Sequence, residues 1–217
     1  MLERRGMLLK VAVSGLVLGA AACCDEKDKE VGAVEDLMRE HGVIRRAILV
    51  YRAAATRLRA GDQPDMAALQ RTTKLLREFG EDYHERELEE ASIFPKVQSA
   101  GGPAAAYIDV LLEQHRRGRA ITDRLLAPGR APDAEELARV LDAFELMYEH
   151  HAAREDTVVF PAWKKALSGS ELSEMGEKFE EIEKKRFGED GFEKAVREID
   201  EIEQSTGMAQ LAQFTPG

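Results

Sequence analysis

Tyr83-His84-Glu85-Arg86-Glu87-Leu88-Glu89-Glu90-Ala91-Ser92-Ile93-Phe94-Pro95 decides the fold, because His150-His151-Ala152-Ala153-Arg154-Glu155-Asp156-Thr157-Val158-Val159-Phe160-Pro161 repeats its plan. Each copy places histidine and carboxylates within two helical turns of an apolar-Phe-Pro ending. Each is preceded, about one helix earlier, by a lone histidine, His41 or His115. All five histidines of the chain belong to this scheme.

Working outward, the apolar positions fall at helical spacing. Val34, Leu37, Met38, Ile44, Ile48, Leu49 and Tyr51 follow a three-and-four rhythm that predicts a helix from about Val31 to Arg59. Gly61-Asp62-Gln63-Pro64-Asp65 is a turn with Asp65 as N-cap. A second helix, with Met66, Leu69, Leu75, Leu76 and Phe79 on one face, runs into the first copy and ends near Pro95, closed by Ala100-Gly101-Gly102-Pro103. A third spans about Ala104 to Leu126, with Ile108, Leu111, Leu112, His115 and Ile121 inward. After Pro128-Gly129 and Ala131-Pro132-Asp133, a fourth runs from about Ala134 through the second copy to Leu167. Long helices joined by short turns make an all-α, up-down-up-down four-helix bundle the economical architecture.

Residues 168–217 read as a helical extension: Ser168 to Glu171 is a capping box, and Gly188 and Gly191 separate two helices. Phe179, Ile182, Phe187, Phe192, Val196, Ile199 and Ile202 form an apolar stripe that packs on the bundle or on a partner. The Glu/Lys richness around them is a solvated face.

Composition agrees. Of 217 residues, 44% are hydrophobic, enough for one buried core; only 6% are aromatic, and the abundant Ala, Leu, Glu, Arg and Lys, all good helix formers, point to an all-helical chain. The net charge of −10 argues against a nucleic-acid partner, which needs a basic surface. Residues 1–22 carry three basic and one acidic side chain, so the charge without them is −12.

Those first residues read as an export signal (1–22), followed by a charged spacer (23–32) and the bundle (33–167). Arg4-Arg5-Gly6-Met7-Leu8-Leu9-Lys10 precedes an apolar run from Val11 to Leu18, too short for an ordinary membrane span, and then Gly19-Ala20-Ala21-Ala22-Cys23-Cys24. The paired arginines resemble a twin-arginine signal, a route for proteins already folded. The small residues before Cys23 resemble a lipoprotein box, although Ala20 stands where Leu is usual. The expected location is periplasmic, or membrane-anchored by a lipid on Cys23. Two adjacent cysteines make neither a disulfide framework nor a zinc site.

The repeated histidines point to metal. An α-helix turns about 100° per residue, so His151 and Glu155 project about 40° apart and reach one interior site. Imidazole and carboxylate without thiolate suit iron, manganese or zinc. One histidine from each helix and a carboxylate from two of them give six ligands, enough for two ions if the carboxylates bridge. In the first copy the acid is open among Glu85, Glu87 and Glu89. Glu89 matches Glu155 in its distance to Phe-Pro, yet five residues after His84 it diverges by about 140° on a regular α-helix, and a π-bulge is required to bring them together.

His150, about 100° from His151, fits a structural or supporting role, as do Glu90 and Asp156. Ile93, Phe94, Val159, Phe160 and Trp163 read as core. Tyr83 and Tyr148 are near enough in sequence to donate hydrogen bonds to the ligands or to act as redox neighbours, and Arg116 with Glu113 is a surface charge pair. Ferritin-like di-iron proteins use Glu-x-x-His on two helices, and this chain has that spacing only at Glu81 to His84.

At these residues the chain resembles the hemerythrin-like, HHE cation-binding family. The carriers are Glu40-His41-Gly42-Val43, Tyr83-His84-Glu85, Glu89-Glu90, Gln114-His115 and His151 through Pro161, with Leu211 to Pro216 similar to the tail of bacterial single-domain members. The resemblance implies two non-haem iron ions, oxo- or hydroxo-bridged, held by His41, His84, Glu89, His115, His151 and Glu155. Oxygen-carrying members add a histidine one turn after the third-helix one, where this chain has Arg119. That departure favours members with more open coordination, linked with nitric-oxide stress and iron-sulfur repair. Three functions follow as expectations: binding or sensing dioxygen or nitric oxide; enzymatic reduction of peroxide or nitric oxide; and iron storage or delivery.

Overall fold

The structure, a computed structural model, describes residues 31–128 and 133–217. The expected export signal with Cys23 and Cys24, and residues 129–132 of the expected turn, lie outside the described residues. Helix α1, Ala33–Arg59, buries Leu37, Ile44, Ile48, Tyr51 and Leu58 along one face. The Asp65 carboxylate then accepts from the backbone N–H groups of Ala67 and Ala68, 3.0 Å each, satisfying donors that the first turn of the next helix leaves free.

That helix, α2, is continuous over residues 66–100 but changes pitch twice. Met66–Leu75 is α-helical, Leu76–Ile93 is a π-helix, and Phe94–Ala100 is α-helical again. The expected end at Pro95 is therefore corrected: the helix restarts there. Proline lacks the N–H that an interior position donates, but sits freely in a first turn, and Pro95 occupies that position in the restarted segment. Gly101 and Gly102, at φ 72° and 79° with ψ −158° and −169°, adopt an extended positive-φ conformation open to glycine, and the chain turns there.

After a 3₁₀ turn, Pro103–Tyr107, helix α3 covers Ile108–Leu126. Helix α4 spans 134–165, capped by the Asp133 side chain on the Glu136 N–H at 2.9 Å. It repeats the device of α2: α-helix Ala134–Arg154, π-helix Glu155–Val159, then α-helix Phe160–Lys165 with Pro161 in the new first turn. In both helices the closing N–H, of Phe94 or Phe160, reaches back five residues to the carbonyl of Glu89 or Glu155.

Helices α1 to α4 pack in sequence around one core, with α1 lying along α4. Met38, Leu49, Met66 and Leu112, expected on inner faces, are instead 37–44% exposed. They sit on the flanks of their stripes, where single exposed apolar side chains are ordinary.

The Ser168–Glu171 capping box opens α5, Gly169–Phe187, and α6, Gly191–Thr206, follows. The predicted stripe packs on the bundle core: Ile199 and Ile202 are fully buried, Phe179 stacks on Trp163 with ring centroids 5.8 Å apart, and Phe187 meets Tyr83 edge-on at 5.3 Å. Arg46 on α1 pairs with Asp200 and Glu203, and Arg71 on α2 with Glu198 and Glu201. Half-exposed pairs of this kind add little to stability. The apolar stripe holds the extension, so Phe179→Ala should cost about 3–5 kcal/mol in urea unfolding. Loss of the Arg71 pairs in Arg71→Ala should cost less than about 1 kcal/mol by the same measurement.

Candidate metal centre

The changes of pitch place the side chains. In a helix hydrogen-bonded i→i+5, residues five apart stack as residues four apart do in an α-helix. His84 and Glu89 lie within the π segment of α2, and His84 Nε2 is 3.3 Å from Glu89 Oε1. In α4, His151 precedes the π segment, and its Nε2 lies 2.9 Å from Glu155 Oε2 at the ordinary four-residue spacing. Of the three acids open in the first copy, Glu89 is the one aimed inward. Glu87 pairs with Arg186 at the surface, and Glu85 Oε2 accepts from Arg119 at 3.0 Å.

His41, His84, Glu89, His115, His151 and Glu155 converge at one level of the bundle, all buried. Glu89, His115, His151 and Glu155 each offer a ligand atom within 4.8 Å of the others, and so do His41, His84 and Glu89. Glu89 belongs to both groups, with its second oxygen 3.3 Å from His115 Nε2. Glu155 reaches across as well, Oε2 lying 3.5 Å from His41 Nε2. His115 and His151 face each other, Nε2 to Nε2, at 3.1 Å.

Each imidazole is fixed from behind. His41 Nδ1 donates to Asp156 at 2.7 Å, His84 Nδ1 to Glu40 at 2.5 Å, His115 Nδ1 to Glu90 at 2.9 Å and His151 Nδ1 to Gln114 at 3.0 Å. With a cation bound, this tautomer would turn an Nε2 lone pair toward the centre in all four rings. The bracing follows the repeat: the residue before each lone histidine holds the histidine of the next helix, and the residue after each inward carboxylate holds the lone histidine of the other half. Asp156 and Glu90 thus support the rings. Glu40 and Gln114 were missed in this role, their one sequence signal being adjacency to His41 and His115. Phe160 stacks on His41 and Phe94 on His115, both with centroids 5.4 Å apart.

Polar atoms without partners show what the cluster lacks. Buried side-chain atoms with no hydrogen-bond partner, among the described residues, are His41 Nε2, His84 Nε2, both oxygens of Glu89 and of Glu155, Glu81 Oε2 and the Tyr148 hydroxyl. Six of the eight are inward-facing atoms of this cluster. Leaving them bare costs free energy that a metal cation would recover, so the donor set fits a cation. Without one the charges adjust among themselves. Burial works against the charged form of His84 and of His115, but for His84 the Glu89 and Glu40 carboxylates, and for His115 those of Glu85, Glu89 and Glu90, hold the proton on well above the ordinary histidine range. Glu89 is lowered well below its ordinary range, against its burial, by His84 and His115.

The remaining candidates are placed as follows. His150 is exposed on α4 and holds nothing at the centre. Arg119 donates to both Glu85 and Glu90, the latter at 2.8 Å, which turns its guanidinium toward carboxylates behind His115. Tyr83 donates to Glu40 at 2.8 Å. The Tyr148 ring lies 6.1 Å from that of His41 and 5.7 Å from that of His151. Burial, then the charges of Glu155, Glu89 and Glu85, keep its phenol protonated far above the usual range. Glu81 accepts from Thr122 and lies 3.2 Å from Arg77, so the Glu-x-x-His spacing does not aim it at the ligands.

With this geometry in place, comparison with known proteins is specific. The hemerythrin HHE cation-binding domain matches residues 32–163 and again 108–213. Uncharacterised proteins of Mycobacterium bovis and Mycobacterium tuberculosis are 46% identical over 197 residues, covering 88% of this chain and 76% of theirs. No solved structure matches the chain significantly.

Glu81 supplies a test of these electrostatics away from the ligands. Its carboxyl is pushed up to about 7, by burial first and by Glu85, against the Thr122 hydrogen bond and the Arg77 charge. The folded acid keeps its proton to higher pH than the unfolded one, so stability falls as pH rises from about 4.5 to about 7. Glu81→Gln retains an acceptor for Thr122 and removes the charge. Urea unfolding of metal-free protein should show the variant more stable above pH 7, by about 1–3 kcal/mol, with the gain vanishing near pH 4.5. Equal stability at pH 8 would mean that the Arg77 pair fully offsets the burial.

Proposed function

The chain belongs to the hemerythrin HHE cation-binding family, and from that membership we propose that it is a non-haem di-iron protein that binds or senses dioxygen or nitric oxide. The observation that carries the reading is the pair Glu89 and Glu155, whose four buried oxygens lack partners between two pairs of histidines. In this reading His41, His84 and Glu89 would hold one ion, and His115, His151, Glu155 and the shared Glu89 the other. An imidazole and carboxylate set with no thiolate suits iron. Bound iron would supply redox chemistry and open positions for a small ligand, and Arg119, tied to Glu85 and Glu90, adds no donor there. The protein's own contribution is to fix four lone pairs, exclude bulk water and keep the supporting protons on Nδ1.

Iron content and ultraviolet-visible spectra test this directly. Wild-type protein should hold about two irons per chain, with bands that change on exposure to oxygen or nitric oxide after anaerobic reduction. His151→Ala and Glu89→Ala should each lose at least one ion per chain, and Glu40→Gln should weaken metal affinity about 10–100-fold without unfolding the bundle. No iron after reconstitution sinks the reading. Stoichiometric spectral change supports binding or sensing, whereas sustained consumption of peroxide or nitric oxide would make it an enzyme.

Export belongs to the same proposal and is supported by Arg4-Arg5, the apolar run Val11 to Leu18 and the small residues before Cys23. Cell fractionation of the full chain should find it outside the cytoplasm, and Arg4→Lys with Arg5→Lys should trap it inside. Cys23→Ala should abolish incorporation of a labelled fatty acid; unchanged labelling would rule out a lipid on Cys23.

A further inference from the structure

Of the eight unpartnered buried atoms among the described residues, two lie outside the inward-facing set, and they occupy matching positions of the repeat. Glu81 stands three residues before His84, and Tyr148 three before His151. Glu81 Oε2 has the Arg77 guanidinium 3.2 Å away. The Tyr148 hydroxyl has no such neighbour: it is a buried donor with nothing to donate to, and burying one costs free energy unless an acceptor arrives. Tyr83 shows the contrast, being equally buried and fully engaged with Glu40.

The surroundings of Tyr148 indicate where that acceptor comes from. Its ring sits against both His41 and His151, one histidine from each half of the centre, edge-on to the first and tilted to the second. Only 4% of the residue is exposed, so bulk water does not supply the acceptor. A metal ion alone does not satisfy an O–H donor either, since both are electropositive. An electron-rich ligand brought in by the ions does.

We propose that Tyr148 is the ligand-binding residue of the centre, its hydroxyl donating a hydrogen bond to a small anionic ligand, such as hydroxide or azide, held at an open position on the metal pair. This rests on the di-metal reading above. It makes the centre asymmetric: the tyrosine half offers a donor to the ligand, while the matching glutamate half is turned away toward Thr122 and Arg77. Ligands able to accept a hydrogen bond are favoured over isosteres that cannot, because the bare phenol is left unpaired by the latter.

The test compares full-length wild type and Tyr148→Phe, metal-free and iron-loaded, with azide as the probe. Three results are expected together. The metal-free variant unfolds at the same temperature as wild type or higher, because its lost hydroxyl had no partner; iron content is unchanged; and azide affinity, read from the spectral titration, falls ten- to hundredfold. A metal-free variant that is less stable overturns the assignment, since the hydroxyl is then partnered within the protein. Unchanged azide affinity in an iron-replete variant overturns it alone and leaves the di-iron reading standing. Loss of iron together with loss of a phenolate-to-iron band shows Tyr148 to be a metal ligand instead, which also overturns it. Wild type that takes up no iron overturns both readings at once.

Discussion

Two carboxylates buried without partners, Glu89 and Glu155, are the constraint to which the rest of the bundle answers. A carboxylate taken out of water needs an opposite charge or several donors, and the core around these two supplies neither from aliphatic side chains. The four histidines face them, two on each side. Behind the histidines stand three acids and an amide that fix the rings, and behind those stand charges that reach the surface, such as Arg45 on Asp156 and Arg119 on Glu90. Polarity is thus passed outward in layers, each meeting partners in the next. The innermost layer is the one that a metal cation completes.

The repeat explains how so many polar groups are aligned at once. Each half contributes a lone-histidine helix and a histidine-carboxylate helix; the halves brace each other through His41 with Asp156 and His115 with Glu90, and each braces itself through His84 with Glu40 or His151 with Gln114. The Phe-Pro pair that closes each π segment does two things. Proline sits in the first turn of the restarted α-helix, where its missing N–H costs nothing, and phenylalanine stacks on the lone histidine of the same centre. Helix restart and ring placement therefore meet in one short motif, and neither half holds the site alone.

Symmetry is broken at the positions three before the motif histidines. They hold Glu81 and Tyr148, the first engaged with Thr122 and Arg77, the second with a buried hydroxyl that has no hydrogen-bond partner. The C-terminal extension adds a different asymmetry, covering α1 and α2 near Tyr83 through Phe187 and fixing the outer side of the Glu40 network.

Much of this was legible from the amino-acid order. Helical periodicity, the caps at Asp65 and Ser168, and the twice-met motif determined an all-helical bundle with its histidines at one level, because these signals are local and repeat. The inner stripe was less sharply drawn at its flanks: Leu112 and Met38 read as core and are exposed, since periodicity does not say how wide a buried face is. The motif's acid was open among Glu85, Glu87 and Glu89, for a simple reason. At α-helical pitch Glu89 points away from His84, and only the packed helix, widened ahead of Pro95, brings it in. The bracing partners Glu40 and Gln114, and the unpartnered hydroxyl of Tyr148, were likewise decided by tertiary structure, because each depends on which residue of another helix it meets.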